Sequence, residues 1–306
     1  MRVAVTGATG LIGSAVARAL RARGDEVTAL TRDADRGRAI LGDDVTVSVW
    51  REPQHSPPPS EALSGLNAVV HLLGEPVAQR WTDQAKREIR DSRVLATRSL
   101  VAALASIPPD GRPRVLVSQS ATGYYGPRGE EPVDESDPPG TDFLATVTSQ
   151  WEAEASTEVP GVRVALTRTG VVLAPRGGAL AKMLPPFRLG IGGPVAGGRQ
   201  YVPWIHLDDV VGGLLQCLQD ERARGAVNLT APNPVTNREL SHTLGRVLHR
   251  PAVIPVPALA LRLMYGEMAT IVVTGQRVIP TRLRELGYEF RYPELEGALD
   301  NVLTAQ

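Results

Sequence analysis

The strongest constraint on this chain is a glycine-rich turn directly behind its first strand. Arg2–Thr6 has the composition of a strand, and the turn Gly7-Ala8-Thr9-Gly10-Leu11-Ile12-Gly13 follows it. Apolar residues then recur every four positions, which predicts a helix, and residues 27–31 resemble a second strand. In such a β-α-β unit the glycines allow a tight turn and close backbone approach to a pyrophosphate, which the helix N-terminus attracts. The turn therefore predicts a dinucleotide site. The residues expected to contact the dinucleotide are Gly7, Thr9, Gly10, Leu11, Ile12 and Gly13.

The end of the second predicted strand indicates which dinucleotide binds. An NAD site usually has an acidic residue there to accept hydrogen bonds from the ribose hydroxyls. This chain has Thr31 and Arg32 at that position, and Asp33 comes one residue later. A guanidinium can pair bidentately with a 2′-phosphate, and the threonine adds a hydroxyl donor. We therefore expect NADP(H) as the cofactor, with Thr31 and Arg32 at its phosphate.

Charge and cysteine content exclude several classes of partner. Thirty-three basic and thirty-three acidic residues cancel, so no net field attracts nucleic acid or an anionic membrane. The single cysteine, Cys217, permits no disulfide within the chain and fits a reducing compartment. The first strand starts at residue 2 and no apolar run is long enough to span a bilayer, so we expect a cytoplasmic protein with no leader and no membrane partner. The oligomeric state stays open.

Strands alternate with helices over most of the sequence. Strand-like runs continue at residues 45–49, 68–73, 115–118 and 163–169, and the clearest helix spans 83–107. This alternation predicts the α/β class, with a Rossmann-type doubly wound parallel sheet.

After residue 230 the alternation stops. Residues 236–248 and 257–264 look helical, with short strand-like pieces at 253–256 and 288–291. We predict two domains, an NADP-binding Rossmann domain at 1–230 and a smaller C-terminal α+β cap at 231–306 that binds substrate. Loops at 174–204 are expected to be inserted on the substrate side of the first domain.

Short motifs occur in a fixed order along nearly the whole chain. They are Arg80-Trp81-Thr82, Ser92-Arg93, Ser120-Ala121, Gly123-Tyr124-Tyr125-Gly126, Trp151-Glu152, Arg168-Thr169-Gly170-Val171-Val172-Leu173, Gly192-Gly193-Pro194, Trp204-Ile205-His206 and Gly275-Gln276-Arg277. In these the chain resembles the extended short-chain dehydrogenase/reductases, the sugar-nucleotide epimerase-like superfamily. Within it, the chain resembles an atypical epimerase-family branch that carries a C-terminal domain of unknown function.

The superfamily's usual acid/base pair is missing. That pair is Tyr-x-x-x-Lys on one helix, in which the lysine lowers the tyrosine pKa so that the phenol can take a proton. The only lysines are Lys86 and Lys182, and neither follows a tyrosine by four residues. The helix that should hold the pair reads Thr146-Val147-Thr148-Ser149-Gln150-Trp151-Glu152 instead.

Part of the catalytic apparatus is retained. Ser120 follows the fifth strand, where the resemblance implies a hydroxyl that bonds the reacting oxygen. Tyr124 or Tyr125 could supply a phenol from the next loop. We take Ser120, Tyr124 and Tyr125 as the candidate catalytic residues, although each also has an ordinary structural explanation as a turn or packing residue.

The resemblance also implies further cofactor contacts. Leu72, Leu73 and Gly74 correspond to the segment that lines the cofactor between adenine and nicotinamide, and His71 precedes them where asparagine is common. Three more charged residues are similarly placed, and they are Glu88, Arg93 and Arg168.

No metal site is expected. His206, Asp208 and Asp209 have no third ligand at metal spacing, and either aspartate is explained as a helix N-cap.

Two classes of function follow. One is an NADP-dependent oxidoreductase acting on a small carbonyl or hydroxyl substrate, and the other is a non-catalytic NADP-binding sensor or scaffold. A sugar-nucleotide epimerase is a further alternative, but Val202 and Pro203 occupy the positions where such enzymes usually carry Arg-Asp. A phenol with no lysine beside it has a pKa of about 10, so it donates a proton better than it accepts one. We therefore expect reduction rather than oxidation.

Overall fold

The computed structural model describes residues 1–304. Its strands are β1 Arg2–Thr6, β2 Glu26–Thr31, β3 Thr46–Val49, β4 Ala68–His71, β5 Val115–Ala121, β6 Pro132–Val133, β7 Arg163–Thr169, β8 Val171–Leu173, β9 Tyr201–Val202, β10 Trp204–His206, β11 Gly225–Leu229, β12 Val235–Thr236 and β13 Arg277–Val278. Its α-helices are α1 Leu11–Ala22, α2 Ala34–Leu41, α3 Asp83–Ser106, α4 Phe143–Ala155, α5 Gly178–Arg188, α6 Leu207–Gln219, α7 Asn237–Val247, α8 Ala258–Tyr265, α9 Thr270–Val273, α10 Thr281–Glu285 and α11 Leu295–Thr304. One-turn 3₁₀ helices lie at Ser60–Ala62, Thr122–Tyr125 and Gly266–Ala269.

Seven strands form one parallel sheet in the order β11-β7-β5-β4-β1-β2-β3. Apolar side chains of α1 and α6 pack on one side of it, represented by Val16, Leu20 and Leu214. Side chains of α3, including Leu100 and Leu104, pack on the other. Buried parallel strands need helices on both faces, and this arrangement confirms the predicted doubly wound Rossmann fold.

A third apolar cluster joins the inserted loops to the C-terminal region. It combines Leu180 and Trp204 from the insertion with Leu240, Leu244 and Leu299 from the tail. The short strand β12 pairs with β9 in the insertion, and β13 pairs with β6. The boundary at residue 230 stays a prediction, and residues 305 and 306 of the predicted cap lie outside the described part.

The two short strands predicted in the tail are wrong. Residues 253–256 contribute one isolated bridge, between Val195 and Val256. Ile254 and Val256 donate backbone hydrogen bonds to the Gly192 and Pro194 carbonyls, but Pro255 between them has no N–H, and no strand forms. Residues 288–291 form no ladder, and the backbone N–H of Arg291 donates to Asp209 on α6 instead. The Tyr288 hydroxyl donates to the same carboxylate. Within residues 1–304, no helix combines the length and the apolar character that a bilayer crossing requires.

Candidate cofactor and active site

The glycine turn has the geometry that a phosphate site needs. Gly7 has φ +62°, and a Cβ there would lie 2.7 Å from the Leu72 carbonyl oxygen, so a larger residue would clash. A Cβ on Gly13 would lie 2.2 Å from the Gly7 oxygen, so that glycine lets α1 pack against the turn. Gly10 caps α1 without any side-chain hydrogen bond. The N–H groups of the first turn of α1 are therefore left without a side-chain acceptor, as anion binding requires.

The carboxylate after β2 is already in use. Asp33 is the N-cap of α2, and its Oδ1 accepts the backbone N–H groups of Asp35 (3.0 Å) and Arg36 (3.1 Å). The Thr31 hydroxyl bonds locally to the Asp33 backbone. Arg32 and Arg36 are both exposed. The end of β2 thus offers two exposed guanidinium groups and a carboxylate of which one oxygen caps α2.

The end of β4 is fixed by a buried histidine. His71 lies between two threonines, with Nδ1 at 2.8 Å from Thr6 Oγ1 and Nε2 at 3.0 Å from Thr97 Oγ1. Burial lowers the His71 pKa to about 4, so the ring is neutral. Thr6 Oγ1 also accepts the Leu72 N–H, which holds the start of the segment Leu72-Leu73-Gly74 against the glycine turn.

The Arg93 guanidinium packs against Gly74 of the segment Leu72-Leu73-Gly74. A Cβ on Gly74 would lie 3.0 Å from the Arg93 guanidinium carbon, and the guanidinium also stacks on the Trp151 ring at 5.3 Å. Burial lowers the Arg93 pKa to about 10, against the opposing charge of Glu75. Glu88 is exposed and accepts a hydrogen bond from Gln84. It forms no ion pair with Arg93. The cofactor roles of both residues stay predictions.

The predicted catalytic serine belongs to a buried ion-pair network. Ser120 is 1% exposed, and its Oγ donates to Glu152 Oε1 at 2.5 Å. Arg168 pairs bidentately with the same carboxylate, Nε to Oε1 at 2.8 Å and Nη2 to Oε2 at 2.9 Å. Ser120 and Arg168 are partners in the β5–β7 register, so the sheet itself sets this contact. Burial opposes the charge of Arg168, but the bonds and charge of Glu152 outweigh it and raise the Arg168 pKa.

The two predicted tyrosines are in different environments. Tyr125 is fully buried, its hydroxyl donates to Asn228 Oδ1 at 2.8 Å, and Arg168 donates to that hydroxyl at 3.0 Å. Burial raises the Tyr125 pKa to about 12, although the Arg168 charge opposes the shift. Tyr124 is half-buried, with the Arg168 guanidinium 3.5 Å from its ring centre. Its hydroxyl makes no hydrogen bond to any residue from 1 to 304.

Glu152 is a member of this network that the sequence analysis did not single out. It lies on α4 four residues after Thr148, the same spacing that separates tyrosine and lysine in the superfamily's pair. The spacing was visible in the sequence, but nothing local indicated that a carboxylate there would bond Ser120. In the same network Glu135 accepts the backbone N–H groups of Asn228 and Arg282, and burial raises its pKa.

The prediction that Asp208 or Asp209 is the N-cap of α6 is wrong. His206, rather than either aspartate, is the N-cap, and its Nδ1 accepts the Asp208 N–H at 3.0 Å. Asp209 instead binds the segment after α10 through Tyr288 and Tyr292. Across residues 1–304, no group of three or more metal-ligating side chains is placed to hold an ion.

Comparisons with known proteins agree with this geometry. The profile of the NAD dependent epimerase/dehydratase family matches residues 3–230, and a domain of unknown function, DUF1731, matches residues 256–302. The chain is 41% identical to the chloroplastic epimerase family protein SDR39U1 homolog of Arabidopsis thaliana, over 99% of this chain and 87% of that protein. It is 38% identical to the human epimerase family protein SDR39U1 over 99% of this chain and all of that protein.

Solved structures give the same result. The crystal structure of human SDR39U1 (isoform 2) with NADPH superposes with a TM-score of 0.89 at 35% identity, covering all of both chains. A nucleoside-diphosphate sugar epimerase from Corynebacterium glutamicum superposes with a TM-score of 0.76 at 33% identity, covering all of this chain and 59% of that one. The chain therefore belongs to the NAD dependent epimerase/dehydratase family, and within it resembles the SDR39U1 proteins.

Proposed function

We propose that this protein binds NADPH and reduces a small carbonyl compound. The observation that supports this cofactor choice most strongly is at the end of β2, where Arg32 and Arg36 are exposed and one oxygen of the Asp33 carboxylate caps α2. Capping uses Oδ1 and leaves Asp33 one oxygen for the two ribose hydroxyls of NADH. The exposed guanidinium groups of Arg32 and Arg36 suit a 2′-phosphate. The human relative that was crystallised with NADPH supports the same choice.

The glycine turn and the segment after β4 would hold the rest of the cofactor. The open N–H groups behind Gly10 would bind the pyrophosphate, and Leu72-Leu73-Gly74 would lie along the dinucleotide toward the nicotinamide. NADPH, when bound, supplies the hydride that adds to the carbonyl carbon. The protein must then give a proton to the oxygen as negative charge develops on it.

Tyr124 is the proton donor that the geometry favours. Its hydroxyl has no hydrogen-bond partner within residues 1–304, and the ring is held against the Arg168 guanidinium. The protons of Ser120 and Tyr125 are already donated to Glu152 and Asn228. In this proposal those two residues act by holding Arg168 under Tyr124. Ser120 would reach a substrate oxygen only by exchanging its bond to Glu152.

A screen for turnover tests the proposal. The protein with NADPH is offered a panel of aldehydes and ketones, and loss of NADPH is measured together with the alcohol formed. Tyr124→Phe should lower kcat by about 10²-fold, a typical effect for a general acid, and leave NADPH affinity unchanged. If a substrate is found and Tyr124→Phe turns it over as fast as the parent, the proposed proton donor is wrong.

A non-catalytic sensor is the second candidate. The observation in its favour is that the hydroxyl protons of Ser120 and Tyr125 are both used inside the protein. A sensor would bind NADPH and show no turnover with any member of the panel. The nucleotide-sugar alternative is disfavoured because Val202 and Pro203 offer no charge to a diphosphate. Micromolar binding of UDP-glucose in a calorimetric titration would restore it.

A further inference from the structure

The exposed apolar side chains of this protein are concentrated in one region. Across residues 1–304, twelve large apolar residues are more than a third exposed, and ten of them lie at 189–191 and 253–272. These two segments are in contact, since the Ile254 N–H donates to the Gly192 carbonyl at 3.2 Å. We call the ten exposed residues the apolar patch. Single exposed apolar residues are ordinary on a protein surface, but a concentration of this kind marks an interaction site.

The helix α8 forms the largest part of the apolar patch. Seven of its eight residues are apolar, the exception being Arg262, and none of the eight is buried. Leu259 and Leu263, one turn apart, are 67% and 73% exposed. The element that α8 contacts most is the 3₁₀ helix Gly266–Ala269, which follows it directly. A helix this apolar is normally buried, and one this short depends on packing for its stability. The described fold does not supply that burial.

The size of the apolar patch matches one side of a protein–protein interface. Its ten residues, each 38–74% exposed, present on the order of 1,000 Å², and one partner of a standard interface buries about 800 Å². The largest apolar patch of a typical monomer measures only about 300–600 Å². The total surface is also large, because a folded monomer of 32.7 kDa exposes about 12,400 Å² and this chain exposes 13984 Å². The chain therefore carries surplus surface of the size that association covers.

Charge and symmetry favour a second copy of this chain as the occupant. Acidic and basic residues number 33 each, so two copies do not repel one another through net charge. Arg262 is the only basic residue in the two segments, whereas a helix that lies on an anionic membrane carries several. A two-fold axis brings the same patch of both copies together, and dimers of this symmetry are the commonest oligomers. We propose that the protein forms a two-fold homodimer through the apolar patch, with α8 of each copy in the interface.

Sedimentation velocity over a concentration series tests the proposal. The full chain should sediment as a dimer at about 100 µM and dissociate on dilution. Leu259→Glu puts a carboxylate in the first turn of α8 and Leu263→Lys puts a cation in its last turn, so both changes suit the helix dipole. Each buries a charge in the interface and should raise the dimer Kd at least about thirtyfold. Ile40→Glu is the matched control, since Ile40 is 40% exposed on α2 outside the apolar patch, and its Kd should equal that of the parent.

Hydrogen exchange locates the interface independently of the variants' folding. In the parent, the amides of residues 258–272 should be better protected at concentrations where the dimer forms than in dilute solution. In Leu259→Glu that protection should not depend on concentration. The melting temperature of both charge variants, measured in dilute solution, should equal that of the parent.

Four results would overturn the proposal. They are a parent that stays monomeric at about 100 µM, charge variants that dimerise like the parent, protection of α8 that does not change with concentration, and charge variants that melt well below the parent in dilute solution. Flotation of a monomeric parent with phosphatidylcholine–phosphatidylserine vesicles, lost in Leu259→Glu, would assign the apolar patch to a membrane instead. None of these measurements uses NADPH, so their outcome is independent of the proposed function.

Discussion

Ser120 on β5 and Glu152 on α4 share a buried hydrogen bond of 2.5 Å, on the helix where the family resemblance implies a Tyr-x-x-x-Lys pair. Arg168 from β7 compensates the Glu152 charge with a bidentate pair. Arg168 also donates to the Tyr125 hydroxyl and stacks on the Tyr124 ring. The Glu152 carboxylate, which holds Arg168, therefore contributes to the position of both tyrosines. In this chain, which lacks a Tyr-x-x-x-Lys pair, a buried ion-pair network therefore lies behind the tyrosine loop.

Replacing the carboxylate should destabilise the protein strongly. Glu152→Gln leaves the Arg168 guanidinium buried without a counter-charge, and breaking such a pair costs about 3–5 kcal/mol in the free energy of unfolding. Glu154→Gln is the matched control, since Glu154 lies on the same helix and pairs with the exposed Arg98. That control should lose less than about 1 kcal/mol. Urea unfolding measures the free energy of unfolding of both variants. Equal losses would show that the buried Glu152–Arg168 pair stabilises the protein no more than the exposed pair does.

The two tyrosines should differ in stability as well as in activity. Tyr125→Phe removes the hydroxyl that joins Asn228 and Arg168, and leaving buried partners unsatisfied costs about 1–3 kcal/mol. Tyr124→Phe keeps the ring over Arg168 and should stay within about 0.5 kcal/mol of the parent. Thermal or urea unfolding of the two variants gives the answer. A Tyr124→Phe variant as unstable as Tyr125→Phe would mean that the Tyr124 hydroxyl has a structural partner.

Acid should destabilise the fold through His71. Its pKa is about 4 in the folded protein and 6.5 when exposed, so the unfolded chain binds more protons between those values. Stability should therefore fall as pH drops from about 6.5 to about 4, by up to about 3 kcal/mol. His71→Asn, whose amide can replace the Nδ1 contact with Thr6 but not the Nε2 contact with Thr97, should flatten that part of the stability curve. His55→Asn changes an exposed histidine and should leave the curve unchanged; if it flattens the curve equally, His71 is not the group responsible.

The sheet and the glycine turn could be predicted because their signals are local. The strand at Arg163–Thr169 has the predicted bounds, and α3 ends one residue before its predicted end. Gly7 and Gly13 are needed for reasons that a β-α-β sequence makes explicit, namely a left-handed turn and close helix packing.

The buried network could not be predicted in the same way. Ser120, Glu152 and Arg168 are brought together by the neighbouring positions of β5 and β7 in the sheet and by α4 packing across them. No periodic pattern in the sequence predicts that these three side chains are in contact.

The measurement that tests the account most directly is the affinity of the protein for NADPH and for NADH, by calorimetry, in the parent and in Arg32→Ala. The parent should bind NADPH roughly ten- to a hundredfold more tightly, because a charge-assisted pair with the 2′-phosphate contributes about 1.5–3 kcal/mol. Arg32→Ala should lose most of that preference while its NADH affinity stays unchanged. Equal affinity of the parent for the two dinucleotides would contradict the account.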